Sequence, residues 1–274
     1  MKKVALLLAV IMAALTLVGC SSGFMSDREM LKLTKNPEVS VTLSYTDSDN
    51  IQKEFTLVYE LHYEKAPITV TNFVNLVQEG FYNGSVISGG SVSSSPRETN
   101  SFYYISGGSY KLAEGENKLD VLSKDYYIKG EFKANQWMAD DETPLKHELG
   151  NLVMSRTSGV SGFDTASTAW YICMSTWAKN DGNYAVFGTL KSMSGKIYKT
   201  GENDEKVVDL EIPAQTSMIS VFYTDMMGLS TSSQSMKTTE KKSTTVKIPN
   251  ITITVNMTVD TFGVTFPQAK TVKK

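Results

Sequence analysis

The sequence is poor in the residues that build reactive or cross-linked centres. Two cysteines among 274 residues exclude a disulfide framework, and two histidines leave little material for a zinc site. No excess of positive charge is present. With 27 Lys and Arg against 29 Asp and Glu, the formal charge is −2, whereas phosphate backbones require a concentrated basic face, so nucleic acid is not an expected partner. Long apolar runs are also missing: Val4 to Val18 falls short of the roughly 20 residues that cross a bilayer. What remains is an ordinary globular composition, 41% hydrophobic and 20% charged. The length allows one large domain or two small ones with a self-sufficient core. The surplus lies in aromatics, with 13 Tyr, 11 Phe and 3 Trp, side chains that build cores and peptide-binding grooves alike.

The N-terminus reads as an address. Lys2 and Lys3 precede the apolar run, which ends in Leu17-Val18-Gly19 directly before Cys20. This resembles the lipobox of bacterial lipoproteins, where the signal peptide is cut before a cysteine that then carries lipid; the alternative is an ordinary secretory signal with a chance cysteine. Loss of residues 1–19 removes two lysines and takes the charge from −2 to −4. Residues 20–38 are then a tether, and the chain sits in the cell envelope, on the outer face of the cytoplasmic membrane or at the outer membrane. Cys173, within Trp170-Tyr171-Ile172, reads as a buried small hydrophobe.

Strand patterns dominate residues 39–274, read as one domain without internal repeats. Val39–Tyr45 alternates, as do Phe55, Leu57, Tyr59, Leu61 and Tyr63, with a turn at Thr46–Asn50. His62 falls on the face opposite that aromatic set and reads as a solvated strand residue. Ala66–Gly80 is the one clear helix: Pro67 can start it, Thr69 or Thr71 can cap it, Phe73, Leu76 and Val77 share a face, and Gly80 can stop it. Short strands follow at 102–105, 152–155, 169–174, 185–190, 246–255 and 258–264. Ser/Gly-rich residues 88–101 read as a mobile loop, and 230–245 as a surface excursion. A mainly β domain, most simply a closed antiparallel barrel, accounts for this pattern.

Glu64–Gly84, with its Ala-Pro-Ile-Thr-Val-Thr-Asn-Phe core, resembles the first helix and turn of cyclophilins, the barrel-shaped peptidyl-prolyl isomerases. Further matches follow in order. Tyr104-Ile105-Ser106-Gly107-Gly108 is similar to a strand ending Gln-Gly-Gly. Ile128–Phe132 and Leu145–Glu148 lead to Met154-Ser155-Arg156-Thr157, similar to the family's Met-Ala-Arg strand. Ala166–Ile172 resembles Ser-Gln-Phe-Phe-Ile, Asp181–Gly188 the Asp-Gly turn and Phe-Gly strand, and Val259–Val264 the closing strand of bacterial members. The resemblance implies a cyclophilin-like barrel. The second helix usual in the family is left open by Lys191–Asp204, which carries two glycines and weak apolar periodicity.

The resemblance also implies a function: rotation of X–Pro bonds in exported proteins by a membrane-anchored monomer, without metal or cofactor. In the family an arginine and a glutamine act beside an apolar proline pocket. Here the arginine's place reads Ile87-Ser88-Gly89, and Arg97, ten positions before Gly107, is the candidate replacement, against the alternative of a solvated arginine in a Ser-rich loop. Tyr103 and Tyr104 stand for the pocket's Phe-Met, and Ser106 for its glutamine. Tyr171 stands for a pocket phenylalanine and Tyr184 for a histidine. Met154, keeping its core position, and Ser155 complete the expected peptide-binding set, with Arg156 beside them. The family's Trp or His has no equivalent at Lys179-Asn180. Aromatic bulk is kept while polar equipment shrinks, so the expectation is an isomerase of reduced activity. The alternatives are a cyclophilin-fold module that binds peptide without turnover and an envelope lipoprotein whose barrel only displays its loops.

Overall fold

The computed structural model describes residues 31–47, 50–91, 104–113, 119–139, 141–200, 205–210, 233–237, 245–249 and 252–274. The chain divides into Met1–Thr34 and a larger unit, Lys35–Lys274. Cys20, most of the tether, Arg97 and Tyr103 lie outside the described residues.

The larger unit is mainly β, as expected. Its first strands are β1 (Glu38–Thr46) and β2 (Gln52–Leu61), followed by helix α1 (Pro67–Gln78). Then come β3 (Ser85–Val86), β4 (Gly89–Ser91), β5 (Tyr104–Gly107), β6 (Tyr110–Leu112), β7 (Leu119–Val121) and β8 (Tyr126–Tyr127). The remainder are β9 (Leu152–Met154), β10 (Trp170–Cys173), β11 (Val186–Thr200), β12 (Glu205–Leu210), β13 (Ser233–Lys237), β14 (Thr245–Pro249), β15 (Thr254–Asp260) and β16 (Val272–Lys273). Twelve strands form one antiparallel sheet in the order β4-β5-β10-β9-β11-β2-β1-β15-β3-β6-β7, with β12 on β11.

That sheet curls but is not sealed by an uninterrupted ladder. One segment serves both of its ends: β3 pairs with β15, and β4, two residues further on, pairs with β5. The change of partner falls at Ile87, whose N–H donates to Ile253, and Ser88, whose N–H donates to Ser106. Alternation along β1 and β2 sends Val39, Val41, Leu43, Phe55, Leu57, Tyr59 and Leu61 into the core. Register brings Leu43 opposite Phe55 and Val255, and Val41 opposite Leu57 and Met257, so a continuous apolar layer crosses three strands. Helix α1 adds Phe73, whose ring lies 5.3 Å from Tyr82 and 5.0 Å from Phe187.

The start of α1 differs from the sequence expectation. Pro67 opens the helix, but Thr69 and Thr71 are buried within it, and no side chain of the adjoining residues caps it. The cap comes from 62 residues away: the buried Glu131 carboxylate accepts from the Ile68 N–H at 2.8 Å and the Thr69 N–H at 2.6 Å. Its negative charge meets the positive end of the helix dipole and satisfies amides that have no partner within the helix. The other end follows expectation. Gly80, at φ 69°, lets Phe81 N–H reach Leu76 and its own N–H reach Val77, which closes the last turn.

Elsewhere the structure adds to or departs from the sequence expectations. Strand β11 continues from Val186 to Thr200, pairing on one edge with β2 as far as Gln52 and, from Gly195 on, on the other edge with β12, so 191–200 is strand and not the second helix. The stretch 246–255 is divided between β14 and β15, and the strand expected to run to Val264 stops at Asp260, where Phe262 and Gly263 turn the chain with positive φ. Inside the stretch 230–245, expected as a surface excursion, Ser233–Lys237 pairs antiparallel with β14 in a two-stranded sheet of its own. His62 ends up half-buried at the end of β2, with Nε2 2.8 Å from Thr189 Oγ1.

Candidate active site

Side chains on one face of a sheet meet along rows of directly opposed residues. One such row runs Gly89 (β4), Ser106 (β5), Tyr171 (β10), Val153 (β9) and Val186 (β11). The adjacent row pairs Tyr104 with Cys173 on the same face. Val153, Tyr171, Cys173 and Val186 form an apolar cluster separate from the barrel core, with Tyr104, Leu145 and Tyr184 packed on it. The opposite face of the same strands carries Trp170 and Met154, paired directly and fully buried.

The aromatic geometry of the outer cluster is specific. The Tyr104 ring meets Tyr171 edge-on with centroids 5.5 Å apart. Tyr171, Tyr184 and His147 form a triangle whose sides are 6.1, 6.0 and 6.2 Å. Tyr171 is almost wholly buried, whereas Tyr104 and Tyr184 are half-buried. Burial, reinforced by the nearby Cys173 and Tyr184 and opposed by Arg156, pushes the Tyr171 hydroxyl far above the ordinary tyrosine range, so it stays protonated. Burial likewise raises the Cys173 thiol and keeps it inert.

His147, which in the sequence stands only within the matching segment Leu145–Glu148, contacts Tyr171 and Tyr184 of this cluster. Its imidazole is inaccessible to solvent. Nδ1 sits 3.3 Å from Asp181 Oδ1, the oxygen that also accepts the His147 backbone N–H at 2.7 Å, and Nε2 sits 3.0 Å from the Tyr171 hydroxyl. Burial lowers the imidazole pKa, and the Asp181 hydrogen bond and charge partly offset this. No local pattern could have revealed the arrangement, because the partners lie 34 and 24 positions away along the chain.

Arg156 closes one side. Its guanidinium lies 4.3 Å from the Tyr184 ring centroid, with Phe163 and Phe132 at 4.9 and 5.0 Å. Nε and Nη2 donate to the Asn183 carbonyl, and Nη1 donates to the carbonyls of Thr157 and Gly159. The side chain is thereby fixed as a prop for Tyr184. A neighbouring cavity of about 240 Å³ is lined by Ser155, Arg156, Thr157, Thr165, Ser167, Thr168 and Ala169.

Among the residues expected to form the site, Tyr104, Ser106, Tyr171 and Tyr184 come together on this outer face, and Ser155 lines the adjoining cavity. Met154 does not join them. Strand alternation sends it inward against Trp170, so its expected contact with peptide is withdrawn and its core position kept. Arg97 and Tyr103 fall outside the described residues. Opposite Ser106, where the family's arginine is expected, the chain carries Gly89.

The family model described as cyclophilin type peptidyl-prolyl cis-trans isomerase/CLD matches residues 48–215. A peptidyl-prolyl cis-trans isomerase of Helicobacter pylori strain 26695 is 30% identical over 161 residues, covering 56% of this chain and 79% of the relative. The protein of the same description from strain J99 is 29% identical over 140 residues, covering 50% of this chain and 67% of the relative. Among solved structures, a cyclophilin-type isomerase of Cryptosporidium parvum, determined in the presence of the dipeptide Ala-Pro, covers 80% of this chain and 99% of its own at 15% identity, with a TM-score of 0.42. From the family match over more than half its length and the bacterial relatives, the chain belongs to the cyclophilin-type peptidyl-prolyl cis-trans isomerase family.

Proposed function

We propose that the chain is an exported peptidyl-prolyl cis-trans isomerase, held at the membrane by lipid on Cys20, that acts on X–Pro bonds of exported proteins with reduced turnover. The chemistry asks little of titrating groups. The barrier of about 18–20 kcal/mol is amide resonance, and uncatalysed exchange takes tens to hundreds of seconds. A catalyst must grip the pyrrolidine ring on an apolar surface and weaken conjugation at the prolyl nitrogen with an aimed donor. The observation that carries the reading is the half-open aromatic face of Tyr104, Tyr171 and Tyr184, standing where the family resemblance puts the proline pocket.

Reduced turnover rests on Gly89. The position opposite Ser106 has no side chain and therefore no donor, and loss of one aimed donor commonly costs about 10²–10³ in rate. A protease-coupled assay with a proline tetrapeptide tests the reading. Catalysis above the uncatalysed rate, lost in Arg97→Ala, supports an isomerase whose donor comes from the 88–101 segment; a rate equal to background in both chains refutes the enzyme reading. The same Gly89 favours a second reading, a module that binds proline peptide without turning it over. Titration followed by tryptophan fluorescence decides that case, since no change up to millimolar peptide counts against binding altogether. Anchoring is tested by feeding cells a labelled fatty acid. Label should enter the wild-type chain and not Cys20→Ser.

A further inference from the structure

Family position alone makes residue 171 a ring on the pocket wall. Tyrosine there brings a hydroxyl to a place where an apolar surface is required, and an unpaired hydroxyl in such a setting costs binding. In this chain the hydroxyl is turned inward onto His147, which no solvent reaches. The network fixes who donates. The Asp181 carboxylate accepts from the His147 backbone N–H and cannot donate, so Nδ1 carries the ring proton toward Oδ1. The neutral imidazole then offers Nε2 as an acceptor, and the protonated Tyr171 hydroxyl donates to it. Both imidazole nitrogens and the Tyr171 hydroxyl are thereby matched.

We propose that Asp181, His147 and Tyr171 form a positioning relay for the proline slot, in which His147 holds the Tyr171 ring against Tyr104 and Tyr184 and keeps its hydroxyl out of the groove. This rests on the isomerase reading and adds to it the residue that sets the shape of the slot. His147 touches no substrate and acts through Tyr171. The triangle of rings explains how the effect is transmitted: the imidazole meets the Tyr171 hydroxyl end-on, its plane inclined 26° to that ring, and meets Tyr184 nearly edge-on at 78°, so one side chain braces two walls. Asp181 reaches the relay from the turn after Ala178–Asn180, and the Tyr184 that closes the slot follows three residues later. The turn therefore orients the brace and the wall together.

The test uses the full chain, a proline tetrapeptide and its alanine counterpart, with Tyr171→Phe, His147→Leu, the double variant and His147→Gln. Long-range proton–nitrogen spectra of the imidazole should show a single Nδ1–H tautomer in the wild type and in Tyr171→Phe, held by Asp181, with the Nε2 resonance displaced in Tyr171→Phe because its hydrogen bond is lost. Peptide Kd and KM should rise about 3- to 10-fold in Tyr171→Phe, the effect of one neutral hydrogen bond, with kcat within about 2-fold, because the wall is used equally in ground and transition states. The double variant should lose no more than His147→Leu alone, and His147→Gln, whose amide oxygen can still accept, should recover most of the affinity. Wild-type peptide binding with all variants unchanged, or losses that multiply in the double variant, would overturn the relay and leave the isomerase reading standing. A wild-type chain that does not distinguish proline from alanine peptide would overturn both.

Discussion

Placing an arginine at position 89 should raise turnover. The row Gly89, Ser106, Tyr171 puts residue 89 two strands from the pocket wall, on the face that carries it. At about 4.8 Å per strand the separation is roughly 10 Å, most of which an extended arginine spans, so the guanidinium in Gly89→Arg arrives above Ser106 at the edge of the Tyr171 ring. A preorganised donor is worth about 10²–10³ in rate. The new side chain lacks supporting hydrogen bonds, and Ser106 is shorter than the family's glutamine, so part of that value is lost. The expected gain in kcat/KM is about 10- to 100-fold, or about 1.4–2.7 kcal/mol of barrier. Gly89→Lys should gain far less, because a point charge does not reproduce the planar fork, and Gly89→Ala should gain nothing. Prolyl exchange would be followed by NMR on a peptide with resolved cis and trans signals, with thermal melts to confirm folding. A folded Gly89→Arg chain with unchanged kcat/KM would refute the claim that a missing donor limits the reaction.

Three other outcomes follow from the geometry. Glu131→Gln keeps the shape of the side chain but removes the charge that caps α1, and should cost about 2–4 kcal/mol in denaturant unfolding; a loss under 0.5 kcal/mol would show that the cap matters little. Gly108→Ala demands a side chain at φ 78° with its Cβ 2.4 Å from the Thr168 carbonyl and 2.9 Å from the Trp170 ring, so about 3 kcal/mol or more should be lost, and a native melting temperature would contradict the packing. His147 gives stability a pH dependence. Its folded pKa lies below the ordinary 6.5, so as pH falls through about 6.5 the unfolded chain takes up the proton first, and stability declines from there toward the folded value while holding above it. The difference between wild type and His147→Gln in melts from pH 8 to 5 should carry this slope; a flat difference would contradict it.

How far the sequence reaches can be judged element by element. Strands β1 and β2 are long enough for period-two alternation to be read directly, and α1 has both a proline start and a glycine stop. Strands of two to four residues, such as β3, β4 and β8, hold too few residues to show a period, and are fixed by partners far along the chain. The continuation of β11 past Leu190 was not legible because Ser, Gly and Lys there carry little intrinsic preference; pairing with β2 and β12 decides it. The Glu131 cap was hidden for the same reason, since the local candidates Thr69 and Thr71 looked sufficient until burial removed them.

The site shows the same division. Tyr104, Ser106, Tyr171 and Tyr184 could be placed from ordered resemblance, because residue type and motif position survive in the sequence. Their support could not. His147, Asp181 and the carbonyls that hold Arg156 meet only through the packed turns around β9 to β11, and the prop that fixes Tyr184 depends on Phe132, 24 residues before Arg156. Met154 illustrates the converse error. Its position in a motif beside groove residues points to the groove, but alternation within a three-residue strand sends it to the other face.

The isomerase reading requires the outer aromatic face to grip a proline ring and speed its rotation. Two-dimensional exchange spectroscopy on a proline tetrapeptide with catalytic amounts of the full chain tests it most directly. Cis–trans cross-peaks on a subsecond timescale are expected with wild type, abolished in Tyr171→Ala, and none with the alanine counterpart. Exchange no faster than the tens of seconds of free peptide, at any enzyme concentration, would contradict it.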